Sequence, residues 1–204
     1  MKMKKVLAMA MMVVMLFTAC APALALSSGA AGLRDNPYRT GTREQAKEYS
    51  FGFGRESLLG GNWTWPVYSA PSMDAFRAAG GKASVHMEDD VYSGGWSGAW
   101  LLIRYPKVTG GFRVGWVPKS EINRPIERTR DLEFAYWTVS LNQACALTDD
   151  PLYESDVIAY AEAGEELTYL AYYQYNGGRE YAYVQGELNG KPICGFVPFE
   201  AVSF

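Results

Sequence analysis

Three kinds of side chain in this sequence could do chemistry: two internal cysteines, one histidine and a run of acids. Gln143-Ala144-Cys145 opens like a nucleophilic-cysteine signature, with His86 upstream as the base it would need. The continuation breaks the pattern, because Ala146-Leu147 follows where such a signature runs on to a glycine. His86 itself sits in the strand-like stretch Ala83-Ser84-Val85-His86. We therefore expect no catalytic residues and no enzyme. One histidine and few cysteines make a poor zinc inventory. The acids lack the ligand and glycine register of a calcium loop. No metal and no cofactor is expected.

The acids read as a binding surface. Asp149, Asp150, Glu154 and Asp156 crowd one loop, with Tyr153 beside them and Tyr181 on a later strand. From 144 to 204 the chain carries ten acidic residues against two basic ones, Arg179 and Lys191. The stretch 62–122 is near balance, with six basic and five acidic residues. An acidic loop flanked by aromatics suits a cationic or amine-bearing group. The competing reading is a solvated acidic surface that aids solubility. Among the aromatics, Trp96 stands in the Gly/Ser-rich run Ser93–Gly98, where an indole is either a lid or a ligand contact. Trp65 and Tyr68 are secondary candidates. Trp100, Trp116, Tyr183 and Phe196 lie in strand-like runs and are expected in the core.

These residues need elements to hold them. The chain has 204 residues, a formal net charge of -3, 49% hydrophobic and 14% aromatic residues. That excludes a basic nucleic-acid binder and a polytopic membrane protein. Lys2, Lys4 and Lys5 precede an apolar run from Val6 to Phe17, the pattern of an export signal spanning residues 1–25. Ala23-Leu24-Ala25 offers cleavage after Ala25. Leu16-Phe17-Thr18-Ala19-Cys20 resembles a lipoprotein box that would end the signal before Cys20 and lipidate it. The protein is thus expected to be extracellular or bound to the cell envelope, meeting a membrane only through a lipid on Cys20. Residues 26–61 are rich in Gly, Ser and charges and read as a flexible linker with at most a short helix near Glu44–Tyr49.

Beyond the linker the sequence repeats. Trp65-Pro66-Val67-Tyr68 aligns with Asp150-Pro151-Leu152-Tyr153, and Trp100-Leu101-Leu102-Ile103 with Tyr181-Ala182-Tyr183-Val184. Gly115-Trp116-Val117-Pro118 aligns with Gly195-Phe196-Val197-Pro198. The offsets are 85, 81 and 80 positions. Each copy shows short strand-like runs punctuated by Gly and Pro, the pattern of a small barrel or sandwich. Trp100–Tyr105 and Phe112–Val117 form one hairpin signal, and Tyr181–Gln185 and Pro192–Val197 another. Glu154–Glu166 reads as a long loop with short strands.

Trp65-Pro66-Val67-Tyr68-Ser69-Ala70-Pro71-Ser72 resembles the opening motif of the bacterial SH3-like domain family. The two Gly-aromatic-Val-Pro closures resemble its ending. The resemblance implies an all-β fold of two small SH3-like barrels in tandem: 62–122, an inter-domain linker at 123–131, and 132–204. It also implies that the first and last strands of a barrel lie side by side, which would let Cys145 and Cys194 bridge in an oxidising compartment. Members of the family are common in exported bacterial proteins and often bring a hydrolase to peptidoglycan. The expected function is an exported, non-enzymatic binder of cell-wall peptide or glycan. The alternative is a protein-interaction or spacer module that holds a surface protein. No nucleic acid is expected as a partner.

Overall fold

The computed structural model describes residues 26–27, 40–55, 58, 63–77, 84–86, 89–107, 110–123, 125–126, 129–152 and 157–204. The fold is nearly all β, with antiparallel sheets. In chain order the strands are β1 (Leu26–Ser27), β2 (Thr64–Pro66), β3 (Ser84–His86), β4 (Tyr92–Ser97), β5 (Trp100–Pro106) and β6 (Phe112–Pro118). Then follow β7 (Trp137–Leu141), β8 (Cys145–Thr148), β9 (Val157–Ala161), β10 (Glu166–Gln174), β11 (Glu180–Leu188), β12 (Lys191–Pro198) and β13 (Val202–Ser203). One short helix, α1 (Arg43–Ala46), is held by a capping box between Thr42 and Gln45.

Each repeat centres on a three-stranded meander, β4-β5-β6 in the first and β10-β11-β12 in the second. Both meanders end in the Gly-aromatic-Val-Pro motif and turn into a short 3-10 helix, at Lys119–Glu121 and Phe199–Ala201. In the second repeat the last strand, β13, pairs with the first, β7, and the larger sheet runs β13-β7-β10-β11-β12-β8-β9. Among the described residues β2 pairs only with β3. These hydrogen-bonded paths stay open among the described residues, and neither of the two closed barrels expected from the sequence is found. The strands also run longer than their sequence signals. β11 and β12 are joined by Asn189-Gly190 alone, both at positive φ (52° and 73°), the backbone that a tight two-residue hairpin requires.

Strand periodicity sorts the side chains into three cores. On β5 and β6, Leu101, Ile103, Tyr105 and Val117 face a core of the first repeat with Trp63, Trp65 and Val85. On β11 and β12, Ala182, Val184, Ile193 and Val197 face a core of the second repeat with Trp137, Leu147 and Tyr169. The alternate positions, Leu102, Val114 and Trp116 from one sheet and Tyr181, Tyr183, Cys194 and Phe196 from the other, meet in a third core between the repeats. The meander strands are therefore buried on both faces, and the two repeats form one body.

Register within the structure corrects the first pairing of the repeat. The opening segment of each copy crosses its own last strand at a glycine. A side chain at Gly115 would strike Val67, and one at Gly195 would strike Leu147. Tyr68 pairs with Trp116, and Thr148 with Phe196. Pro66-Val67-Tyr68-Ser69-Ala70-Pro71 is thus equivalent to Ala146-Leu147-Thr148-Asp149-Asp150-Pro151, offset 80 rather than 85. Only this offset agrees with the other two motifs.

Two segments read as linkers are structural arms. In the first, Tyr172 N–H donates to Tyr49 O (2.6 Å) and Phe51 N–H to Tyr172 O (3.3 Å), so residues 49–51 of the stretch before the first repeat pair with β10 of the second. In the second, Trp96 N–H donates to Arg130 O (2.8 Å) and Leu132 N–H to Trp96 O (2.6 Å), so the stretch before the second repeat pairs with β4 of the first. Both contacts are parallel bridges, Ser50 to Tyr172 and Trp96 to Asp131. The arms are offset by 81 positions and the strands they meet by 76. Both of those strands carry a register shift beside the contact, at Ser93/Gly95 and Tyr169/Ala171. Each repeat thus lends its arm to the other, as across a two-fold axis. Within the segment 26–61, residues 40–55 are consequently packed rather than a loose tether. Ala46 is fully buried, Arg43 donates to Phe199 O and Val202 O, and Tyr169 O–H donates to Ala46 O.

Cys145 and Cys194 are both free and buried, which overturns the expected disulfide. Cys145 faces the core of the second repeat and Cys194 the core between repeats. They point to opposite sides of the sheet, and β8 meets β12 opposite Phe196 rather than Cys194.

The shared core predicts one unfolding transition for both repeats. Phe51→Ala, which empties a site against Tyr173, Tyr183 and Phe196, is expected to cost about 3–5 kcal/mol in urea unfolding followed by fluorescence. Two separated transitions in the unmodified protein would contradict the shared core.

Candidate functional site

The structure disperses the residues singled out from the sequence. Trp65 is fully buried and stacks on Trp63 (centroids 4.2 Å apart, planes 19° apart), so it is core. Tyr68 lies between the repeats, edge-on to Trp100 at 5.4 Å, with the Arg77 guanidinium over its ring. Tyr181 is buried in the same shared core. Trp96 is not at a loop tip. It is a half-buried residue of β4 packed on the core of the first repeat, with Lys119 Nζ 5.6 Å from its ring centre. The Gly/Ser run that suggested a loop supplies instead a bulged strand. Tyr153, Glu154, Asp156 and Cys20 lie outside the described residues.

Asp149 and Asp150 are not offered to a ligand, because the first repeat already holds them. Arg113 Nη1 donates to Asp149 Oδ2 at 2.9 Å with both residues buried. Lys107 Nζ donates to Asp150 Oδ2 at 3.0 Å, while Asp150 also accepts from Leu152 N–H and Thr148 Oγ1. The backbone reinforces the pair: Val114 N–H donates to Asp149 O, and at the equivalent place Cys194 N–H donates to Ser69 O, both at 2.8 Å. Two of the second repeat's ten acids thus join the repeats. For Asp149, burial outweighs the adjacent guanidinium and pushes the carboxyl up to about 6, as its Oδ1 is buried without a hydrogen-bond partner.

His86 and Cys145 do not come together. His86 is exposed on β3, its ring within reach of the Thr64 and Ser84 hydroxyls. Cys145 is buried in the second repeat, where burial pushes its thiol up to about 11. Among the described residues no three His, Cys, Asp or Glu side chains cluster in a way that could hold a metal ion.

The open site is a trough between the two arms. One part, about 380 Å³, is lined by Gly52, Phe53 and Gly54 of the first arm, Ser93–Gly95 of β4, and Thr129 and Arg130 of the second arm. The adjoining part, about 320 Å³, is lined by Glu48, Tyr49 and Ser50 and by Arg130–Glu133. Arg130 borders both. Glu48, Asp131 and Glu133 are exposed, as is Arg130, so the trough presents three carboxylates and one guanidinium beside the half-buried ring of Phe53. Such a surface can hold an amine by charge and a small polar group by hydrogen bonding. Sequence reading passed over most of these residues because 48–54 and 129–131 sat in presumed linkers. A signal was present: Ser50-Phe51-Gly52-Phe53 and Asp131-Leu132-Glu133-Phe134 share an apolar alternation at the same 81-position offset as the Trp100–Ile103 and Tyr181–Val184 runs.

The inter-repeat ion pair sets a pH dependence. A carboxyl raised in the folded state binds its proton more readily there than in the unfolded chain, so its contribution to stability grows as pH falls from about 6 toward its ordinary 3.8. Asp149→Asn removes that contribution and keeps an oxygen for Arg113. In urea unfolding at pH 7.5 and 5.5, the variant should lose the part of the acid-side gain that the unmodified protein shows. Equal pH slopes for the two proteins would refute the assignment.

No family model matches the chain, and no curated protein matches it. Among solved structures it is similar to NlpC2 from Trichomonas vaginalis, with a TM-score of 0.26 and 15% sequence identity over 76% of this chain and 49% of that one. The chain therefore spans about half of that protein's length, and a likeness at this TM-score carries no argument about fold or activity.

Proposed function

We propose that the protein is an exported, non-enzymatic binding protein that recognises cell-wall peptide or glycan, built from two SH3-like repeats joined by their exchanged arms. The SH3-like reading draws support from the two meanders that close on Gly-aromatic-Val-Pro and a 3-10 turn, and from the pairing of first and last strands in the second repeat. The observation that carries the binding function is the trough between the arms, where Glu48, Asp131 and Glu133 face solvent around Arg130. Free amines of stem peptides are its best-matched ligand, with the carboxylates supplying charge and Phe53 an apolar contact. This moves the acidic site expected at Asp149 and Asp150 to the arms. It is one composite site, lined by both arms.

A second reading has one observation in its favour. The core shared by the repeats makes a rigid body, which suits a spacer or a platform for a surface protein.

Sedimentation with purified peptidoglycan tests the first reading. The protein from Leu26 onward should pellet with peptidoglycan, and Asp131→Asn combined with Glu133→Gln should reduce the pelleted fraction about tenfold, as expected for losing charge-assisted contacts. Asp149→Asn should pellet normally. Failure to pellet, or pelleting indifferent to the double substitution, would sink the wall-binding role at this trough.

A further inference from the structure

The trough has an unusual construction. Its lining comes only from the first arm (48–54), the second arm (129–133) and the bulge Ser93–Gly95. Each arm belongs in sequence to one repeat and is seated on the other, so neither repeat contains the site by itself. If either arm leaves, one wall leaves with it.

The two arms also approach β4 at one place. A Cβ on Gly94 would lie 3.0 Å from the Phe53 ring of the first arm. A Cβ on Gly95 would lie 2.6 Å from Leu132 Cγ and 3.0 Å from Arg130 O of the second arm. Gly95 holds φ at +136°, a backbone that side chains rarely adopt. At the equivalent bulge on β10 stand Leu170 and Ala171, both buried. The glycine pair thus marks where both arms need the β4 backbone bare, and Phe53 and Leu132 pack on its neighbouring residues. Phe51 and Phe134 then enter the same inter-repeat core. Each arm makes two backbone bonds to the strand it meets, and Gly54 N–H to Ser93 O and Ala135 N–H to Leu170 O tie each arm back to its own repeat, so seating is decided by these bonds together with the burial of Phe51 and Phe134.

We propose that the two arms are one cooperative clasp and that the trough is a product of their exchange, so that ligand binding and arm seating are a single equilibrium. The ligand half of this statement rests on the wall-binding reading above; the clasp half does not. A ligand that contacts both arms binds only the doubly seated state. It must therefore stabilise that state, and anything that unseats one arm must weaken binding by the same coupling.

Four amides report the clasp: Phe51 and Tyr172 for the first arm, Trp96 and Leu132 for the second. Hydrogen exchange of the whole mature protein reads them separately. Leu132→Ala trims the second arm at the glycine pair without adding an atom, and Gly95→Ala is the harsher companion. Without ligand, Leu132→Ala should speed exchange about tenfold at all four amides while Val197 in the second repeat's core stays protected. Soluble muropeptides released from purified peptidoglycan should slow all four in the unmodified protein and bind the variant about tenfold more weakly. Acceleration confined to Trp96 and Leu132 overturns the clasp, whatever the ligand does. Muropeptides that bind while leaving the four amides unchanged overturn the coupling. Acceleration at all four amides without any muropeptide binding overturns the wall-ligand reading and supports the clasp.

Discussion

Trp116 and Tyr183 meet between the two meanders, and the indole N–H donates to the phenol oxygen at 2.9 Å with both side chains buried. Phe196 lies 4.9 Å from the Tyr183 ring, and Phe134 sits edge-on to Trp116 at 6.0 Å. Buried aromatics with a polar tip need a partner for that tip, and here each repeat supplies the other's. The contact makes the inter-repeat face a core rather than an interface of convenience. Burial raises the Tyr183 hydroxyl well above its ordinary range, which keeps it a neutral member of this core.

The rest of the architecture follows from that face. Because the meander strands are covered on both sides, they tolerate apolar residues at successive positions, as in Leu101-Leu102-Ile103. Because the repeats are held together, each opening segment, having crossed β6 or β12 of its own repeat, also reaches the matching strand of the other, with Ser69 O accepting from Cys194 N–H and Asp149 O from Val114 N–H. The reciprocity is broken at the acids. The second repeat adds the Asp149–Arg113 and Asp150–Lys107 pairs, where the first has Ser69 and Ala70 in the equivalent places. A buried ion pair of this kind specifies which faces meet more than it adds stability. The arms complete the arrangement by closing over the joint, and the trough lies between them.

Much of the fold was legible, and little of the site. The hairpins and the closing motifs could be read because strand alternation and turn chemistry are local. The all-β class followed from them. The repeat was visible through Gly115-Trp116-Val117-Pro118 and Gly195-Phe196-Val197-Pro198, although its opening pair was aligned five positions out of register. That misalignment arose because Pro and Tyr recur in both segments, while the true constraint, a strand crossing above Gly115 and Gly195, is a contact distant in sequence. The acids at 149 and 150 were read as ligand contacts because a sequence shows charge but not what neutralises it. Arg113 and Lys107 lie 36 and 43 positions away. The arms were read as linkers because their composition is polar and their partners are strands of the other repeat.

The sequence by itself determined the local elements at the centre of each copy: the two hairpins, their Gly-aromatic-Val-Pro closures, and that one unit occurs twice. These depend on side-chain periodicity and backbone preference within a few residues. Tertiary structure alone decided that the two units share a core, that each arm belongs to the opposite repeat, that the cysteines face away from each other, and where an open charged trough remains. Such properties arise when segments far apart in the chain bury one another's surfaces, and the residues that meet there carry no mark of their partners.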